Sequence, residues 1–140
     1  MAVKVFTPEF AQAFEAEINS SAVYAKVAKG WKWTVGLVVE AEPNRGQPEN
    51  LGIRLDLFDG AAREVAMVAP AEAQGCDFVI SASYSSWKQV MRKQLDPIRG
   101  MLQGKLRLRK GALPTIVLYT KAVQELVECT TRLGAEFPDE

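Results

Sequence analysis

The stretch CDFVISASYSSWKQVMRKQLDPIRGMLQGKLRLRKG, from Cys76 to Gly111, decides the fold. Asp77 to Ser83 is a short run of apolar and β-prone residues and predicts a buried strand. Ser83 then offers a hydroxyl cap to a helix carrying Trp87, Val90 and Met91. Asp96-Pro97 opens another turn or two of helix, which Gly104 ends. In Lys105-Leu106-Arg107-Leu108-Arg109 cations alternate with leucines, as in a strand with one wet face. Its outward charges also discourage edge-to-edge pairing.

Working outward toward the N-terminus, Thr7, Pro8 and Glu9 form a helix-opening signal, and Phe10, Phe14 and Ile18 follow as one apolar stripe. Asn19-Ser20 interrupts and recaps a shorter helix holding Val23, Tyr24 and Val27, closed by Gly30. From Trp31 to Glu40 the period changes to two, with Trp33, Val35, Leu37 and Val39 on one face. AEPNRGQPEN (41–50) reads as an exposed loop. Leu51, Ile53, Leu55 and Leu57 alternate into a tight turn at Asp59-Gly60, and a strand over 62–68 pairs back as a hairpin. Beyond the central block, Gly111 breaks the chain. Pro114 marks a final helix predicted to run to about Leu133, near ~30 Å if straight. Hairpin-like strands with helices at both ends and around 84–104 argue an α+β fold, an antiparallel sheet covered on one face by helices.

The chain has 140 residues, of which 48% are apolar and 24% charged, so a single domain over residues 1–140 with its own core is expected. Lys+Arg and Asp+Glu both number 17, so no net field draws nucleic acid or membrane to the whole molecule. Histidine is absent, which removes Ser-His-Asp and Cys-His nucleophile systems and the HExxH zinc helix. Cys76 and Cys129 make no CxxC pair and read as free thiols in a reducing compartment; no metal or other cofactor is expected. MAVKVFTPEF lacks the apolar stretch of a signal peptide, and the longest apolar run, 35–39, is far too short to span a bilayer. A cytoplasmic location is the expectation.

Motifs that resemble chemistry mostly have structural explanations. Gly100, Gly104 and Lys105 are one residue short of a phosphate loop, and Leu106 stands where a hydroxyl is needed. Asp56 faces away from Leu55 and Leu57, Asp59 belongs to its turn, and Asp96 to its cap. Chemistry through a carboxylate and Tyr84 or Tyr119 would need a buried acid beside the phenol, which no spacing requires. Charge is unevenly spread, however. From Lys88 to Lys110 the cations Lys88, Arg92, Lys93, Arg99, Lys105, Arg107, Arg109 and Lys110 face one acid, Asp96, eight against one. Such a segment is either a solvated face or a contact for an anionic membrane. It lacks the aromatic pattern of RNA-binding sheets, so no nucleic-acid partner is expected.

Through this basic region runs an apolar series, Trp87, Val90, Met91, Leu95, Ile98, Met101 and Leu102, facing one way despite the proline. Leu113, Ile116, Val117, Leu118 and Tyr119 cover a broad arc of the last helix, which must be buried on several sides or border a cavity or partner.

Taken in order, Cys76-Asp77-Phe78-Val79-Ile80-Ser81, Tyr84, Trp87-Lys88, Val90, Leu95-Asp96-Pro97-Ile98, Met101, Gly104-Lys105-Leu106 and Leu108 resemble the sterol carrier protein type 2 lipid-binding domain family. Trp31 after Lys29-Gly30 resembles it as well. The resemblance implies a five-stranded, mainly antiparallel sheet with helices enclosing an apolar tunnel. It implies non-catalytic binding, and transfer, of sterols, fatty acids or acyl-CoA-type lipids. Carried over, Trp87, Val90, Met91, Ile98, Met101 and Leu102 would line the helical wall, and Phe78, Ile80, Leu106 and Leu108 would come from strands. Ile116, Val117 and Tyr119 would close the tunnel from the final helix. Two departures bear on its mouth: Lys93-Gln94, where the family often has a glycine, and Ala112-Leu113-Pro114 after Lys110-Gly111. A lipid site calls for a cavity on the order of 300–1,000 Å³. The rival expectation is a protein-interaction module, a homodimer or an accessory to a lipid-metabolising enzyme, using the same apolar surface.

Overall fold

A computed structural model describes residues 3–140. Helix α1 (Pro8–Ser20) starts where the Thr7 hydroxyl accepts the Phe10 N–H, and α2 (Ala22–Val27) follows at once. The cap between them is Ser21, just past the expected Asn19-Ser20; Asn19 instead holds the sheet, its side-chain amide exchanging two hydrogen bonds of 2.9 Å with the Ala62 backbone. β1 (Thr34–Glu40) begins three residues later than the alternation suggested. There the Asp77 carboxylate accepts both the backbone N–H and the hydroxyl of Thr34 and anchors the strand's start.

β2 (Leu51–Phe58) and β3 (Ala61–Val68) form the expected hairpin. Asp59 and Gly60 both take positive φ, 48° and 87°, the primed geometry that matches strand twist. α3 (Pro70–Ala73), absent from the sequence expectations, closes against the back of the sheet. A Cβ on Gly36 would sit 1.9 Å from the Ala73 carbonyl oxygen, so only glycine allows that approach. β4 (Phe78–Ser83) runs into α4 (Tyr84–Met91), whose cap is Ser83. α5 (Pro97–Leu102) is capped by Asp96, which accepts the Arg99 N–H at 3.0 Å. β5 (Arg107–Lys110) starts two residues late because the Lys105 and Leu106 N–H groups still bond back to the Gly100 carbonyl.

The strand order is β3-β2-β1-β4-β5. Three pairings are antiparallel and one, β1 with β4, is parallel, so the sheet is mixed but mainly antiparallel. The fold class is α+β, with the larger helices on one face.

The single final helix expected from the sequence is two: α6 (Leu113–Leu118) and α7 (Thr120–Leu133). Tyr119 leaves helical dihedrals (φ −109°, ψ 32°), and the Thr120 hydroxyl donates to the Val117 carbonyl at 2.6 Å, taking an acceptor that a continuous helix would use. After α7 the tail returns across the core. Val5 donates to the Glu136 carbonyl at 2.9 Å, Phe137 is buried against Tyr84, and the Tyr84 hydroxyl donates to Asp139 at 2.6 Å.

Candidate functional site

Alternation puts Val35, Leu37 and Val39 of β1 on the same side of the sheet as Ile53, Leu55 and Leu57 of β2 and Phe78 and Ile80 of β4. Facing them, α1 brings Phe10 and Phe14. α7 brings Ala122, Val123, Leu126, Val127 and Thr130, one face of a helix. These layers do not close completely. A cavity of about 140 Å³ lies between them, its remaining wall formed by Phe6, Tyr24, Trp31, three residues of α4, and the segments around α5 and α6. Val35, Leu37 and Ile80 stay only half-buried although they stand on interior strands of the sheet.

The wall is hydrocarbon with few polar atoms, and most of those are already engaged. The Trp87 indole N–H donates to the Val38 carbonyl, the Trp31 indole to Trp33, and the Thr130 hydroxyl to Val127. Burial pushes the Tyr24 phenol well above its usual range, so it stays neutral. Among the described residues no carboxylate, amine or thiol lines the cavity. One end is filled by aromatic rings: Trp31 lies 4.9 Å from Phe78, 5.0 Å from Trp33 and 5.2 Å from Tyr119, centroid to centroid. The free volume is below the 300–1,000 Å³ of a typical small-molecule pocket.

Of the residues carried over from the resemblance, Phe78, Ile80, Trp87, Val90, Met91, Met101, Leu106, Ile116 and Tyr119 come together on the cavity wall. Four do not. Ile98 and Leu108 pack against the core from outside the cavity, while Leu102 and Val117 are 69% and 47% exposed. One residue's step along a short helix turns each of the last two away from the inward Met101 or Ile116. The α1, β1, β2 and α7 walls lie outside the residues that carry the lipid-site resemblance. Their signal was present, as the apolar sides of those elements, but the same pattern describes a solid core.

The Tyr84–Asp139 pair joins a phenol to a carboxylate, as the catalytic alternative requires, yet neither residue lines the cavity. It belongs to the tail. The Tyr84 hydroxyl and the Lys88 ammonium hold the Asp139 carboxyl down at about 2.

The basic segment is likewise divided. Lys88 pairs with Asp139 and Glu140, Arg92 with Glu140, Lys93 with Glu128, and Arg107 with Glu40. Arg109 donates to the Ser81 hydroxyl at 2.9 Å. Arg99, Lys105 and Lys110 have no carboxylate within ion-pairing distance among the described residues.

The SCP-2 sterol transfer family matches residues 10–111, which hold the whole sheet and most of the cavity wall. The chain belongs to that family. A crystal structure of sterol carrier protein 2 superposes with a TM-score of 0.84 at 34% identity, covering 91% of this chain and 98% of that one. A conserved hypothetical protein of Thermus thermophilus, described as possibly a sterol carrier protein, superposes with a TM-score of 0.84 at 32% identity, covering 96% and 92%. Sterol Carrier Protein 2 from Yarrowia lipolytica shares the fold, with a TM-score of 0.59, 17% identity and coverage of 94% and 98%. No curated protein sequence matches the chain. Membership of the SCP-2 sterol transfer family assigns lipid binding in general to this chain, on a carrier fold that is generally non-catalytic. Among the described residues no helix is long and apolar enough to cross a membrane.

Proposed function

We propose that this SCP-2 domain is a non-catalytic carrier that takes one apolar lipid, a sterol or a fatty acyl chain, into the cavity between the sheet and helices α1 and α7. The observation that carries this reading is the cavity wall itself, apolar side chains around unfilled space. Each methylene moved there from water contributes about 0.8 kcal/mol without directional contacts, so the wall needs no charged group.

An unfilled volume of about 140 Å³ holds a short hydrocarbon segment, and a full acyl chain or sterol requires the wall to open. α5 and α6 are suited to move. Each is six residues long, and each contributes little more than Met101 and Pro97, or Ile116, to the enclosure. Met101, unbranched and half-buried, adapts to guests of different shape. Loading and unloading at a membrane would keep the lipid out of water throughout.

The test is Met101→Glu with a fluorescent fatty-acid probe. A charge at the wall is expected to weaken probe binding by more than about tenfold. The half-exposed position leaves the urea midpoint little changed. Equal loss of binding and stability, or unaltered binding, would contradict the site.

A further inference from the structure

From Pro97 to Gln124 the chain contains no carboxylate and six cations, although the protein as a whole is neutral. Helices α5 and α6 both lie in this stretch, and each is two-faced. Met101 and Ile116 point into the cavity, while the neighbouring Leu102, Val117 and Leu118 are 69%, 47% and 83% exposed. These three side chains, on two helices that both wall the cavity, present apolar surface to solvent beside it.

Cations stand beside them. On α5 Arg99 precedes Leu102 by three positions, the spacing that puts two side chains on one helix face, and Lys105 follows just beyond the helix end. Lys121 comes three positions after Leu118. All three cations are exposed, and none has a carboxylate within ion-pairing distance among the described residues. The acids nearest to them in sequence are already engaged, Asp96 by the Arg99 backbone N–H and Glu125 by the Ser21 hydroxyl and Arg132. Lys88, Arg92, Lys93 and Arg107, by contrast, are neutralised by the tail, α7 and β1.

We propose that the outer faces of α5 and α6 are a docking surface for an anionic lipid bilayer, with Leu102, Val117 and Leu118 entering the acyl boundary. Arg99, Lys105 and Lys121 would meet the headgroups. This rests on the carrier reading above and deepens it, because the helices that dock also form a wall of the cavity. Contact with lipid would loosen α5 and α6 on the side from which a guest arrives. Apolar residues in the boundary and cations among headgroups are the two contributions that hold an interfacial helix, each cation adding about 1 kcal/mol. The proposal moves the membrane contact away from Lys88 and Arg92, where the charge run alone would place it.

The experiment is flotation of the full chain with vesicles of phosphatidylcholine alone and of phosphatidylcholine with phosphatidylserine. Probe uptake in vesicle-free buffer is measured on the same samples. The wild type is expected to bind the anionic vesicles more tightly, and high salt to weaken that binding. Leu102→Glu with Leu118→Glu is expected to lower it by about tenfold or more. Lys105→Gln or Lys121→Gln should each lower it by about fivefold. Val23→Glu, at an exposed apolar position on α2, and Lys88→Gln should leave it unchanged. Probe uptake should stay at the wild-type level in the double leucine variant, since neither side chain lines the cavity. Equal binding to both vesicle types, or wild-type vesicle binding by the double variant, would overturn the proposal. So would a stable dimer that the leucine substitutions dissociate, because those faces would then meet a second copy. Loss of probe uptake with vesicle binding intact in Met101→Glu would locate any failure in the cavity and not in the docking surface.

Discussion

Ala122→Leu separates a hollow interior from a filled one. Ala122 is 5% exposed and stands on the α7 face that lines the cavity. A void of about 140 Å³, at about 24 cal/mol per Å³, leaves the empty protein about 3 kcal/mol less stable than one whose interior is filled. Leucine adds three carbons, and their burial contributes about 2.4 kcal/mol, from which any strain must be subtracted. In a solid core the same carbons would overpack and destabilise by about 1–3 kcal/mol. Urea unfolding of the lipid-free variant is therefore expected to show unchanged or increased stability. The added carbons also take the place of about three ligand methylenes, so probe affinity should fall by about fiftyfold. A variant destabilised by more than about 1 kcal/mol that still binds the probe as the wild type does would refute the reasoning, since the space would then be neither empty nor used.

Three other outcomes follow from particular residues. Lys93 holds φ 61°, a left-handed conformation, at the turn where the family often has glycine. Lys93→Gly is expected to stabilise by about 1 kcal/mol in urea, less whatever its exposed pair with Glu128 contributes. Asp139 is held down at about 2, first by the Tyr84 hydroxyl and then by Lys88, so its contribution is complete above the unfolded carboxyl value of about 4 and fades as the pH falls to about 2. The stability difference between wild type and Asp139→Asn should accordingly be flat from neutral pH to about 4 and shrink below it. Burial pushes the Cys129 thiol up to about 11 and raises that of Cys76, so a disulfide reagent at neutral pH should label neither until denaturant is added.

Local signals made most of the fold legible. Hydroxyl and carboxylate caps at Thr7, Ser83 and Asp96, the Asp59-Gly60 turn and the alternation over 51–57 all appear where the sequence places them. What the sequence hid depends on partners distant in the chain. Tyr119 breaks the last helix beside Trp31, a contact that no periodicity announces. Lys88 and Arg92 look like free cations until the tail brings Asp139 and Glu140 to them. For the cavity, the family's pattern over residues 76–119 marks nine of the wall residues. Most of the wall comes from elsewhere, Phe10, Phe14, Leu55 and Leu126 among it, and an apolar stripe reads the same whether it meets another side chain or empty space.

The most direct measurement is native mass spectrometry of the chain mixed with palmitic acid. The account predicts a one-to-one adduct in the wild type that is weakened in Ala122→Leu and Met101→Glu. A bare chain at every palmitate concentration, from protein that unfolds cooperatively in urea, would contradict it.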